Sequence, residues 1–210
     1  MTRAFASEGE LFREALGDNW GDLHPDIQKR FDKNPTPGNP LRYTGVLDEL
    51  YCSRWGMVLG HLTKPFIKGA LIPYSQNGVP VDIRVYSIED DPNIYKERNY
   101  KLVNRKSVLF TSHMTRSLKG EVLEYVGMGL GMKLIVSAVG GDLHFQSDGY
   151  FWDVGLFRVP IPDLFTPGKT FLKHVNRAPD SFSIRIEILH SIFGRTFLQT
   201  GTFSEIGDAG

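Results

Sequence analysis

The sequence contains one cysteine, no long apolar run and no excess of charge of either sign. Cys52 has no second cysteine with which to form an intramolecular disulfide, which is typical of a reducing compartment. No run approaches the roughly 18 apolar residues of a membrane-spanning helix. The first residues, MTRAFASEGELF, lack the apolar core of a signal peptide. We therefore expect a soluble cytoplasmic protein without a transmembrane segment.

The charges of the chain cancel, because 24 Lys and Arg residues are matched by 24 Asp and Glu residues. Proteins that bind nucleic acid generally carry a basic field, which a neutral chain lacks. The net charge also gives no support for attachment to anionic lipid by charge alone. We therefore expect no nucleic-acid partner.

The motifs of metal, phosphate and nucleophile sites are missing as well. The six histidines form no His-x-x-x-His or His-x-His pair, and a single cysteine supplies no zinc cluster. There is no Gly-x-Ser-x-Gly elbow and no phosphate loop. The glycine-rich stretch 127–131 lies between predicted strands and opens no helix, so we interpret it as a bulge or bend. The sequence predicts neither a metal nor a cofactor.

Short alternating segments dominate the rest of the chain. Between Gly127 and Trp152, two apolar-rich runs meet at Gly140-Gly141, a pair typical of a two-residue hairpin turn. Roughly nine or ten strands follow one another at hairpin spacing, without βαβ alternation. The sequence predicts a mainly β fold, an antiparallel curved sheet that forms a barrel-like structure or a half-barrel.

Helical patterns are confined to the N-terminal segment and to one stretch within the β region. Ser7 and Glu10 form a capping box, and Pro25 is placed for the first turn of a second helix. A third helix is predicted near 55–66, ending before Pro65 and covering a face or mouth of the sheet. We predict one globular domain, with a helical segment and linker at 1–40 and an antiparallel β domain at 41–203.

Two hairpins allow the register of the sheet to be predicted. If Val139 pairs with Asp142, Val136 faces Phe145 on an apolar face. If Ser117 pairs with Gly120, His113 lies opposite Glu124. A carboxylate beside an imidazole can orient it as a general base. The same two residues could equally form a cross-strand pair that faces solvent.

Seven stretches resemble an uncharacterised bacterial domain family, domain of unknown function four-one-six-six. They are LHPDIQKRF (23–31), RYTGVLDE (42–49) with the glycines after it, GVPVDIRV (78–85), YKERNYKL (95–102), EVLEYVGMGLGMKLIV (121–136), FRVPIPDLFTPG (157–168) and IFGRTFLQTGTF (192–203). The Trp that similar proteins often carry before an Arg is absent near Arg98. The resemblance carries over no catalytic residue. Relatives can carry this domain behind a saccharopine-dehydrogenase-like domain, which implies a role accessory to small-molecule metabolism.

The sequence supports three hypotheses about function. In the first, the curved sheet binds a hydrophobic or amphipathic small molecule in a cavity. The aromatic side chains expected nearest to that cavity are Trp55, Phe66, Tyr125 and Trp152.

In the second hypothesis, the same cavity belongs to a cofactor-free isomerase, cyclase or hydrolase. His113 and Glu124 would be its acid–base pair, with Arg98 as the partner of an anionic group. In the third hypothesis, the chain is a structural domain that forms a homodimer through a sheet edge or through the helix near Trp55.

Overall fold

The structure is a computed structural model that describes residues 7–63, 71–91 and 93–207, together with the backbone of residues 2–3. Its α-helices are α1 (Glu8–Leu16), α2 (Pro25–Phe31) and α3 (Arg54–Thr63), and short 3₁₀ turns span Gly17–Asp22 and Asp163–Phe165. Within the described residues, no helix has the length and apolar composition needed to cross a membrane.

Twelve strands make up the rest of the fold. They are β1 (Thr2–Arg3), β2 (Leu41–Cys52), β3 (Val79–Ser87), β4 (Ile94–Tyr100), β5 (Val108–Ser117), β6 (Val122–Gly127), β7 (Leu130–Val139), β8 (Asp142–Asp153), β9 (Arg158–Ile161), β10 (Lys169–Ala178), β11 (Ser181–His190) and β12 (Gly194–Glu205). The prediction of a mainly antiparallel β fold is confirmed.

Ten of these strands close into an antiparallel barrel. Their order around the wall is β5-β4-β3-β2-β12-β11-β10-β8-β7-β6, and pairing between β5 and β6 completes the circle. A closed wall leaves no unpaired sheet edge. The two remaining strands are outside this closed order. The β1 strand pairs with the last two residues of β5, and β9 pairs with residues 150–153 at the end of β8.

The three predicted helices are present, and the helix predicted near 55–66 spans Arg54–Thr63. The Ser7 hydroxyl accepts a hydrogen bond from the Glu10 amide at 3.1 Å, which caps α1. Proline occupies the first turn of α2, and α3 ends at Thr63, before the proline that cannot continue it. The first two helices fill one end of the barrel, which we call the lower end.

Side chains from α1 and α2 complete the core at the lower end. Phe12 and Ile27 are fully buried, and they belong to a cluster with the inward-facing Leu143 and Phe145. The Phe12 ring lies edge-on to Phe145, with ring centroids 5.2 Å apart. A second cluster runs along the length of the barrel on the side of β2, β3 and β4, and it includes the alternating residues Val79, Val81, Ile83 and Val85. The α3 helix lies in the connection between β2 and β3, at the opposite end of the barrel from α1 and α2, which we call the upper end.

The register predicted from Gly140-Gly141 is confirmed, since Val136 pairs with Phe145 and Val139 with Asp142. The register predicted for the preceding hairpin is wrong by one residue. His113 pairs with Tyr125, and Met114 pairs with Glu124. The loop is the reason: Gly120 has a φ of +84°, and the Ser117 amide bonds the carbonyl of Glu121. A three-residue loop with glycine in the left-handed region replaces the expected two-residue turn.

A candidate ligand cavity in the barrel lumen

The upper half of the barrel encloses a cavity of about 210 Å³. Its walls are the inward-facing side chains of most strands, and the majority of them are apolar. Representative apolar residues are Phe110, Val126, Met132, Ile186, Ile188 and Phe197. Concave apolar cavities with a few polar groups are the usual form of small-molecule sites.

A short polar chain crosses one wall of this cavity. Arg98 on β4 donates a hydrogen bond to the Ser112 hydroxyl at 3.1 Å. That hydroxyl in turn donates to the Glu124 carboxylate at 2.9 Å. Both Arg98 and Glu124 line the cavity, and the Arg98 guanidinium also lies 5.3 Å from the Phe110 ring centroid. One positive and one negative group are thus held in the wall of the upper cavity.

Two tyrosines add hydroxyl groups to the same cavity. Tyr150 donates to the Gly168 carbonyl at 3.0 Å and lies 2.7 Å from the Thr170 hydroxyl. Burial raises the pKa of Tyr150 to about 12. Tyr100 donates to the Gln199 amide oxygen at 3.3 Å, and burial raises its pKa as well. Both phenols therefore remain protonated at neutral pH and act as neutral hydrogen-bonding groups.

A smaller chamber of about 90 Å³ lies below this cavity, against α1 and α2. Arg98 and Leu172 line both chambers and therefore mark the boundary between them. Lys96 also faces the lower chamber and forms an ion pair with Glu8 of α1 at 2.7 Å. The lower chamber is also lined by Arg30 and Lys33, so the upper cavity is the more apolar of the two.

The upper cavity reaches the surface beside the connections at the upper end. Leu59 and Thr63 of α3 and the following Leu71 form one side of it, and the turn at Asp163–Phe165 forms another. The Phe165 side chain lines the cavity, yet it is 67% exposed. This ring therefore borders both the lumen and solvent, which identifies the upper end as the mouth.

The predicted acid–base pair is divided by the barrel wall. Glu124 and Arg98 face the lumen, but His113 faces outwards, where its ring stacks on Tyr125 with centroids 5.2 Å apart. Burial lowers the pKa of His113, although Asp91 and Glu124 oppose that shift. The two residues remain within electrostatic reach, but they do not converge on a common concave site.

Three of the four aromatic residues predicted near the cavity do not line it, and the fourth lies outside the described residues. Tyr125 is on the outer face and donates to Asp153 at 2.7 Å. Trp152 is half exposed at the upper end of β8, and its indole N–H donates to the Met128 carbonyl. Trp55 packs against Phe193, with ring centroids 4.5 Å apart. Phe66 lies outside the described residues.

The lumen also contains functional groups that the sequence reasoning missed, above all Ser112, Tyr150 and Gln199. Tyr150 and Gln199 line the cavity directly, and Ser112 joins Arg98 to Glu124. The signal for them was strand parity, because residues two apart on a strand share a face. Ser112 lies two residues before Met114 on β5. Assigning Met114 to the inner face would therefore have placed Ser112 on that face as well.

Comparison with protein families matches residues 23–203 to a model described as Domain of unknown function (DUF4166). No curated protein matches the chain.

Proposed function

The chain belongs to the family described as Domain of unknown function (DUF4166), and from that premise we propose that it binds a hydrophobic or amphipathic small molecule inside its barrel. The observation that carries this proposal is the cavity of about 210 Å³ in the upper lumen. Protein interiors are normally packed with few voids larger than a water molecule. An apolar cavity of this size therefore supports a role in holding a guest.

The polar groups suggest how such a guest is oriented. Its apolar part lies among Ile186, Ile188 and Phe197, and its polar end points towards Arg98 and Glu124. Among the described residues, Arg98 makes one side-chain hydrogen bond, to Ser112, and no ion pair. A guanidinium has five N–H donors, so donors remain for an oxygen-bearing group of the ligand.

A lumen-filling substitution tests the proposal. In Ile186→Trp, the larger side chain occupies the cavity, so binding of dansyl-undecanoate, a fluorescent amphiphile, should fall at least about tenfold. The matched control is Ile135→Trp, because Ile135 is exposed on the outer side of β7. This control should bind the probe as the wild type does.

Fluorescence titration measures probe affinity, and thermal unfolding shows whether each variant is folded, since overpacking can cost about 1–3 kcal/mol. Native mass spectrometry of the protein purified from cells would then identify a co-purifying molecule. If folded Ile186→Trp binds the probe with unchanged affinity, or if the wild type binds none, the lumen is not a ligand site and the proposal fails.

A further inference from the structure

The exposed apolar side chains of this protein are concentrated at the upper end of the barrel. In the described part of the chain, eight large apolar residues are more than 60% exposed, and seven of them lie on the connections at this end. We call these seven the apolar rim: Leu62, Val103, Met128, Leu156, Phe157, Phe165 and Ile192. The eighth, Leu118, lies in the β5–β6 hairpin and borders an outer groove that also reaches Leu156 and Phe157.

Each of the six connections at the upper end contributes at least one member of the apolar rim. The rim therefore surrounds the end at which Phe165 joins the cavity to the surface. Exposed apolar residues that occur singly need no explanation, but a concentration of them marks an interaction surface. A ring around the mouth of an apolar cavity is suited to a partner that also supplies the cavity's contents.

Charge is segregated between the two ends, although the chain as a whole is neutral. The described upper connections, 53–63, 71–78, 101–107, 128–129, 154–157, 162–168 and 191–193, carry four basic residues and one acidic residue. The described lower segments, 7–40, 88–91, 118–121, 140–141 and 179–180, carry five basic and twelve acidic residues. The end that bears the apolar rim is thus positive, and the opposite end is strongly negative.

We propose that the apolar rim docks on an anionic lipid surface, from which the barrel takes up its amphipathic ligand. This inference rests on the proposed function and adds the source of the ligand. Apolar side chains that enter the interface, together with nearby basic residues, are the two contributions by which peripheral proteins bind anionic membranes. Arg105 and Lys106 are exposed beside Val103 and supply positive charge next to the rim.

A lipid surface fits this arrangement better than a second protein does. The rim residues stand on six separate connections around an opening. A fluid lipid surface can accept separate side chains at different heights, and it leaves the opening in contact with amphiphiles. The negative lower end would be repelled by an anionic surface, which fixes the orientation of the barrel with its mouth towards the lipid.

Two matched substitutions test the docking surface. Leu156 is 94% exposed in the rim, and Val139 is 53% exposed beside the Gly140-Gly141 turn at the other end. In sedimentation with vesicles of phosphatidylcholine and phosphatidylglycerol, Leu156→Asp should lower vesicle affinity at least about tenfold. Val139→Asp, an equally acidic replacement of an exposed apolar side chain at the opposite end, should leave vesicle affinity unchanged. The double variant Leu156→Asp/Ile192→Asp should lose more affinity than Leu156→Asp does.

The charge contribution is tested separately with Arg105→Gln and Lys106→Gln. Each should weaken binding to the mixed vesicles about fivefold, and neither should alter the weaker binding to vesicles of phosphatidylcholine alone. Because none of these residues lines the lumen, all variants should bind dansyl-undecanoate normally in vesicle-free solution. That measurement separates a failure of docking from a failure of the proposed function.

Wild-type protein that does not sediment with mixed vesicles would overturn the proposal, as would equal losses in Leu156→Asp and Val139→Asp. Light scattering without vesicles gives a further decisive outcome. A wild-type dimer that becomes a monomer in Leu156→Asp would assign the rim to a second copy of the chain instead.

Discussion

The Ser112 hydroxyl donates a hydrogen bond of 2.9 Å to the Glu124 carboxylate inside the barrel. Both side chains are buried, and the same hydroxyl accepts a hydrogen bond from Arg98. The hydroxyl therefore connects the Arg98 guanidinium to the Glu124 carboxylate by two hydrogen bonds. Buried charged groups are tolerated only where such partners are supplied.

Removal of this hydroxyl should destabilise the fold. Ser112→Ala leaves one Glu124 oxygen without its partner, so we expect a loss of about 1–3 kcal/mol in the free energy of unfolding. Urea denaturation measures the loss. Ser183→Ala is the control, because the Ser183 hydroxyl accepts a hydrogen bond from the exposed Arg177, and this change should alter stability by less than about 0.5 kcal/mol. Equal losses in the free energy of unfolding would show that the Ser112 hydrogen bonds stabilise the fold no more than the exposed hydrogen bond of Ser183 does.

The turn between β6 and β7 should be unusually sensitive to a single methyl group. Gly129 has a φ of +76°, and a β-carbon there would collide with the Asp153 carbonyl oxygen. Gly155 has a φ of +89°, but open space surrounds it. We expect Gly155→Ala to cost about 1–2 kcal/mol for its backbone conformation, and Gly129→Ala to cost about 3 kcal/mol because the collision adds to that penalty. Thermal unfolding of the pair measures the difference; equal costs would exclude the collision.

The fold was largely predictable because alternation along the strands records which face is buried. Val79, Val81, Ile83 and Val85 alternate with more exposed residues along β3, and all four are in the core. The β4 strand gave no such signal, since it places Lys96 and Arg98 inside the barrel. The sequence does not reveal that Glu8, brought in by α1, neutralises Lys96.

The candidate site was only partly predictable, because register depends on the length of a turn. Gly140-Gly141 gave the correct pairing of β7 with β8, since two glycines suit a two-residue turn. Gly120 instead extends the preceding loop to three residues. This one-residue shift moves His113 to the outer face while Glu124 stays inside.

His174 should make the stability of the protein depend on pH. Its ring is buried between Phe31 and Phe182, with centroid distances of 5.1 and 4.6 Å. Burial lowers its pKa to about 3, and the positive charges of Arg30 and Lys96 act in the same direction. Because the folded pKa lies below the ordinary value of 6.5, the unfolded chain binds the proton first as the pH falls. Stability should therefore be complete above pH 6.5 and decline between 6.5 and 3, by on the order of 4 kcal/mol.

The substitution His174→Phe isolates this contribution. It keeps an aromatic ring between Phe31 and Phe182 and removes the titrating group, so the variant should lose less stability on acidification than the wild type. Burial also lowers the pKa values of His113 and His144, and those contributions remain in both proteins. Urea denaturation at a series of pH values compares the two slopes. Parallel slopes for the wild type and His174→Phe would contradict the prediction.

Arg98 should select for the charge of a bound ligand. In Arg98→Met, the side chain keeps much of its length but loses its positive charge and its donors. Hydrogen bonds to charged groups contribute about 1.5–3 kcal/mol, so affinity for the anionic dansyl-undecanoate should fall roughly tenfold to a hundredfold. Affinity for Nile red, which is neutral, should change little. Arg84→Met is the control, because the Arg84 guanidinium lies over Tyr86 on the outer face, 4.6 Å from the ring centroid. Equal weakening of both probes in Arg98→Met would mean that Arg98 maintains the shape of the lumen without recognising an anion.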